Sequence, residues 1–100
     1  MNIYVDIDDT IADYRPSDDK SDYTLATPID INIDKINKLY DEGNQITYYT
    51  ARGSGTGIDW YDTTLHQLET WGCKFHKLIT GHKPPYDLII CDKSKRIEEV

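Results

Sequence analysis

At 100 residues the chain has room for one domain and one modest core. Eighteen Asp and Glu against eleven Lys and Arg leave a net charge of −7. That balance excludes a nucleic-acid scaffold working by phosphate neutralisation and argues against docking on an acidic membrane, while an anionic substrate would need locally positive groups or a bound cation. No apolar run approaches membrane-spanning length, and Asp6 interrupts any leader-like apolar stretch after Met1. Cys73 and Cys91 have neither metal-site spacing nor a secretory context, so they read as reduced thiols in a cytoplasmic protein.

Ile3, Tyr4 and Val5 form a short apolar, β-prone run that suits a buried parallel strand. Three carboxylates follow at once, Asp6, Asp8 and Asp9. Like charges packed at the end of a buried strand are costly unless a cation or a shared proton relieves them. Two readings are open at this point: a strand running into a solvated acidic turn, or a metal-dependent phosphoryl-transfer site at a strand's carboxyl end. Residues 12–27 are polar and without periodicity, including Arg15-Pro16-Ser17-Asp18-Asp19-Lys20. They read as a solvated excursion or as a flap that brings Tyr14, Arg15 and Tyr23 to a substrate.

Thr27-Pro28 has the chemistry of a helix start, a capping hydroxyl followed by Pro at the first helical position. Ile29, Ile33, Ile36 and Tyr40, widened by Leu39, make an apolar stripe, and Gly43 supplies a left-handed stop. Gln45–Thr50 is rich in β-branched and aromatic residues and reads as a second strand, followed by Ala51-Arg52 and a loop with Gly53, Gly55 and Gly57. Ile58, Tyr61, Leu65 and Leu68 repeat at helical spacing, with Trp71 near the end and Gly72 as terminator. Phe75–Thr80 reads as a third strand, 81–86 as a stiff turn, and Leu88-Ile89-Ile90 as a fourth strand running into Cys91-Asp92-Lys93. His76 and His82 have no evident partner, and Asp87 is a candidate to hold Lys83 or a turn.

The order β-loop-α-β-α-β-β predicts one α/β domain, a Rossmann-like three-layer sandwich with a small, mostly parallel sheet. Its first strand is central, with order 3-2-1-4, and there is no large cap domain. Ligands in such sheets bind beyond the carboxyl ends of the strands. That rim collects Asp6 and Asp8, Thr50 and Arg52, and Asp92, with Lys83 in the turn before the last strand. Phosphoester hydrolysis needs a nucleophile, a proton donor for the leaving oxygen, and positive charge around the phosphoryl group. Asp6 can attack, and Asp8 can sit beside it as acid and base. Thr50 offers a hydroxyl and backbone N–H groups to phosphate, and Lys83 offers a point charge. Mg2+ takes oxygen ligands and keeps several waters, which fits Asp6, a nearby main-chain carbonyl and Asp92. Arg52 has two readings, a bidentate substrate contact or a structural pairing with the flap.

Asp6-Ile7-Asp8-Asp9-Thr10, then Thr50, Lys83 and Asp92 in this order, resembles the four motifs of the haloacid dehalogenase-like phosphatase superfamily. The runs 48–60, 67–72, 83–90 and 92–94 resemble, more narrowly, small bacterial and viral members associated with capsule or polysaccharide biosynthesis. The resemblance implies a capless Mg2+-dependent phosphatase forming an aspartyl-phosphate on Asp6, with Asp8 as general acid and base. It implies phosphate contacts from Asp9, Thr10, Thr50, Ala51, Arg52 and Lys83, and metal contacts from Asp6, the Asp8 main-chain carbonyl and Asp92. The substrate class it suggests is a small phosphate monoester such as a sugar phosphate. Two departures stand out. Cys91 occupies the place of a second acid beside Asp92, and Asp9 stands where Gly is frequent, with its N–H still expected to face phosphate. The competing readings are an impaired scaffold that binds or regulates and a receiver-like phospho-acceptor, the latter disfavoured by the alternating acids. A small open site also suggests a homo-oligomer.

Overall fold

The computed structural model describes residues 1–13, 24, 26–52, 59–81 and 88–90. The elements in chain order are β1 (Asn2–Asp6), β2 (Ala12–Asp13), β3 (Thr27–Pro28), α1 (Asp30–Asp41), β4 (Gln45–Thr50), α2 (Tyr61–Thr70), β5 (Lys77–Thr80) and β6 (Leu88–Ile90). β1, β4, β5 and β6 form a parallel sheet in the order β5-β4-β1-β6. β1 is therefore flanked on both sides, with Val5 opposite Tyr48 of β4 and Ile90 of β6. No helix among the described residues is long and apolar enough to cross a membrane.

The strand periodicity sorts the side chains onto two faces. Ile3, Val5, Ile46, Tyr48 and Leu78 lie on one face and join Ile33, Ile36 and Leu68 in a single core. Tyr4, Tyr49 and Ile79 cluster separately on the other. Both helices thus pack against the same face. The physical reason is directional: the chain steps from β1 to β4 to β5 one way across the sheet, and right-handed crossovers then put both connecting helices on one side. The described residues accordingly form two layers, and the expected third layer is not found among them.

Both helices stop as Gly43 and Gly72 require. Gly43 has φ +98° and donates to the Tyr40 carbonyl while Asn44 donates to that of Leu39; Gly72 has φ +74° and donates to Glu69 while Cys73 donates to Leu68. These are paired six-to-one and five-to-two closures of the Schellman kind, and they need a residue free to adopt positive φ. Asn37 ties the helix layer together, its amide donating to the Gly72 carbonyl and its oxygen accepting from the Lys74 N–H.

Four local expectations change. Thr27 and Pro28 do not begin a helix. They form β3, paired antiparallel with β2, and the Thr27 hydroxyl donates to the Asp13 carbonyl. α1 starts at Asp30 after an Ile29 cap with no side-chain cap bond. Tertiary pairing across the base of the 12–27 insert has outweighed local capping chemistry. The third strand begins at Lys77, and His76 before it does have partners. Its Nδ1 accepts the Ile46 N–H at 3.0 Å and its ring stacks on Tyr40 with centroids 4.7 Å apart. The stripe expected along α2 is also only partly apolar: Leu68 is buried, but Thr64 and Gln67 are buried beside it and Tyr61 is exposed.

Among the described residues the buried Tyr48 hydroxyl has no hydrogen-bond partner. Burial pushes its pKa far above the usual tyrosine range, and the neighbouring Cys73 thiol adds to this electrostatically. Burial likewise pushes the Cys73 thiol up to about 12, offset in part by the Tyr48 phenol and reinforced by the charge of Asp30.

Candidate functional site

The carboxyl end of β1 is held in a tight turn. The Ile7 N–H continues the ladder to the Tyr49 carbonyl at 3.1 Å, and the Ile7 carbonyl accepts from the N–H groups of Thr10, Ile11 and Ala12. Asp9 closes this turn in the left-handed region, with φ 66°. Asp and Asn are the side chains that tolerate that region best after Gly, which accounts for an acid at this position. The turn sits on a buried base, because Ile7 and Ile11 are fully enclosed. It is tied to α1 by the Asn32 amide on the Thr10 carbonyl at 2.9 Å and by the Ile29 N–H on the Ile11 carbonyl at 2.8 Å.

Within this frame Asp6 is the half-buried last residue of β1, beside Tyr49 of β4. Asp8, 19% exposed at its side chain, reaches the end of β4. Its Oδ2 accepts the Thr50 hydroxyl at 3.0 Å, and both its oxygens accept from Arg52. Nη2 donates to Oδ1 at 2.7 Å, and Nε lies 3.2 and 3.1 Å from Oδ1 and Oδ2. The Thr50 hydroxyl in turn accepts the Arg52 N–H at 3.2 Å. The far side of the guanidinium is held by α2, where Nη1 donates to Thr64 Oγ1 at 3.1 Å and Gln67 Oε1 at 2.7 Å. Arg52 is only 2% exposed, and the Asp8 carboxylate meets its charge in a side-on fork.

Several expected roles shift in this geometry. Arg52, expected at the phosphate, is turned inward and holds Asp8, because α2 offers two buried acceptors that draw the guanidinium under the rim. The Thr50 hydroxyl, also expected at phosphate, donates to Asp8. The Asp9 N–H, expected to face phosphate, donates to the Ala12 carbonyl at 2.8 Å, because the left-handed turn folds the chain back on itself. Thr10 is fully buried, and its hydroxyl has no partner among the described residues. Ala51 follows Thr50 at the exposed rim. Lys83, Cys91 and Asp92 lie outside the described residues, as do Tyr14, Arg15, Tyr23, His82 and Asp87.

Thr64 and Gln67 are the site residues that sequence reasoning missed. The available signal was two polar residues three apart, on the flank of the Leu65–Leu68 stripe, where a core-facing helix would carry apolar side chains. Gln67 also lines a shallow depression of about 440 Å³ with Thr24, Asp62, Thr63 and His66. Asp6, Asp8 and Thr50 do not contribute to that lining, so the depression is not assigned as the phosphate site.

Among the described residues no three His, Cys, Asp or Glu side chains gather as a metal-ligand group. The donors that are described at the rim, a carboxylate at Asp6 and main-chain carbonyls of the turn, are hard oxygen ligands. Few protein ligands of this type suit Mg2+, which keeps much of its water.

No family model matches the chain, and no curated protein matches it. A solved crystal structure described only as a target from Vibrio cholerae is similar, with a TM-score of 0.67 and 19% identity, over 82% of this chain and 70% of that one. At that identity the likeness speaks for the fold alone.

Proposed function

We propose that this protein is a Mg2+-dependent phosphatase, hydrolysing a phosphate monoester through an aspartyl-phosphate on Asp6, with Asp8 as general acid and base. The fold that goes with this reading is a Rossmann-like, capless haloacid dehalogenase-like domain. The observation that carries it is the pair of acids at the carboxyl end of a central parallel strand, one ending the strand and the other fixed by Thr50 and Arg52 from the neighbouring strand's end.

In the first half-reaction an Asp6 oxygen bonds to phosphorus as the ester P–O bond breaks, and Asp8 gives a proton to the leaving oxygen. In the second, water attacks phosphorus, the Asp6–P bond breaks, and Asp8 takes the water's proton. The Ala51 N–H and Lys83 are the groups offered to the phosphoryl oxygens. Asp6, the Asp8 main-chain carbonyl and Asp92 would hold Mg2+, whose charge, when bound, eases the approach of a carboxylate to an anionic phosphoryl group. A phosphorylated sugar is the substrate class suggested by resemblance.

Turnover of 4-nitrophenyl phosphate and of a panel of sugar phosphates, with Mg2+ and with chelator, tests the reading. Asp6→Asn should abolish turnover, and Asp8→Asn should slow it severely. Absence of Mg2+-dependent turnover across the panel would overturn it. A second reading, a non-catalytic binding scaffold, is favoured by one observation: Asp8 accepts from Thr50 and from two Arg52 nitrogens, so its oxygens are held as acceptors. A large gain in rate on Cys91→Asp would mark the chain as an impaired enzyme.

A further inference from the structure

We propose that Thr64 and Gln67 of α2 are positioning residues for Asp8, acting through Arg52; the proposal rests on the phosphatase reading above. A guanidinium is planar, so fixing one edge fixes the other. Thr64 Oγ1 and Gln67 Oε1 hold the Nη1 corner at 3.1 and 2.7 Å. The Nε–Nη2 edge is then presented to both oxygens of Asp8. Thr64 and Gln67 are three residues apart on one helical face, and both are at least nine-tenths buried. Their helix is anchored by fully buried Leu68 and by the closure at Gly72. Arg52 is equally constrained at its backbone, where its N–H donates to the Thr50 hydroxyl that also holds Asp8. The orientation of the acid is thereby set by a helix that begins nine residues after Arg52.

The consequence is specific to proton transfer. A leaving group that departs as a stable anion needs little help from Asp8, whereas a more basic one depends on a well-aimed proton. Phenyl phosphate and 4-nitrophenyl phosphate share a shape and differ in this respect. Because kcat/KM reports the step that forms the Asp6–P bond and breaks the ester bond, it isolates Asp8 acting as acid. The test compares kcat/KM for both esters, with Mg2+, in the wild type and in Thr64→Val, Thr64→Ser and Gln67→Met, at a temperature where circular dichroism shows every variant folded. Thr64→Val and Gln67→Met are expected to lose about tenfold on phenyl phosphate and less than about threefold on 4-nitrophenyl phosphate. Thr64→Ser, which keeps the hydroxyl, is expected to restore the wild-type ratio. Equal losses on the two esters, or none, with Asp6-dependent turnover in the wild type, would overturn this proposal and leave the phosphatase reading standing. Absence of Asp6-dependent turnover in the wild type would overturn both.

Discussion

Replacing Arg52 with Met keeps a linear stem of similar reach and removes the guanidinium. Among the described residues, the Asp8 carboxylate, the Thr64 hydroxyl and the Gln67 carbonyl then lose their bonds to the guanidinium. Removing one partner of a fully buried ion pair costs about 3–5 kcal/mol. Asp8 keeps 19% of its side-chain exposure and the Thr50 hydroxyl, so water and one remaining bond soften the loss. Thr64 and Gln67 each lose a hydrogen bond worth about 1 kcal/mol, and the losses are coupled and do not simply add. The expected destabilisation is about 3 kcal/mol, a large share of a total of about 5–15 kcal/mol and on the order of 10–20 °C in Tm for a domain of this size. Arg52→Lys keeps the charge without the fork and should fall between the variant and the wild type. Urea unfolding followed by the fluorescence of Trp60 and Trp71 measures this, with an unchanged m-value required for the comparison. A double-mutant cycle with Asp8→Asn should return a coupling above about 1 kcal/mol. A loss below about 0.5 kcal/mol for Arg52→Met, or strict additivity in the cycle, would refute the claim that this pair organises the rim.

Other outcomes follow from particular groups. Tyr48→Phe removes a buried hydroxyl without a partner among the described residues, so it should leave stability unchanged or raise it by up to about 1 kcal/mol in the same urea assay. Stability should fall in alkali between the ordinary cysteine value of 9.0 and about 12, because the unfolded chain releases the Cys73 proton there while the folded chain retains it. The slope is at most about 1.4 kcal/mol per pH unit for that one group, and urea midpoints taken across this window for wild type and Cys73→Ala should differ in slope. Asp9→Ala should cost about 1 kcal/mol, since Ala loses the polar side chain that makes positive φ tolerable, whereas Asp9→Gly should be neutral or slightly stabilising; paired thermal melts distinguish them.

What the sequence revealed about the fold was whatever depended on neighbours a few residues away. The stripe Ile33–Ile36 and the glycine stops at Gly43 and Gly72 are consequences of helical period and backbone freedom, and both stand in the structure. Thr27-Pro28 shows where such reasoning fails. Its capping chemistry is real, but β2, fourteen residues earlier, competes for the same backbone and side chain. His76 is a similar case, because its partner is a main-chain N–H thirty residues away that no side-chain pattern announces.

The site was legible as a list of residues and not as a set of contacts. Asp6, Asp8, Thr50 and Arg52 could be gathered at one rim because parallel strands deliver their carboxyl ends together. Nothing in the sequence says which way Arg52 turns, and that depends on what waits beneath it. Buried Thr64 and Gln67 would be poor choices for a core face unless a donor met them, and Arg52 is that donor. A buried guanidinium would be a poor choice unless an acid met it, and Asp8 is that acid. Each residue of the network is thus explained by the next. An apolar replacement of all of them would often be as stable, so stability alone does not account for the arrangement. What the network does that an apolar core could not is hold one carboxylate in one orientation, two residues beyond the end of the central strand that Asp6 closes. The proposed phosphatase needs a positioned acid of this kind, and for that reason the two acids should be tested as a pair with α2, rather than as an isolated motif.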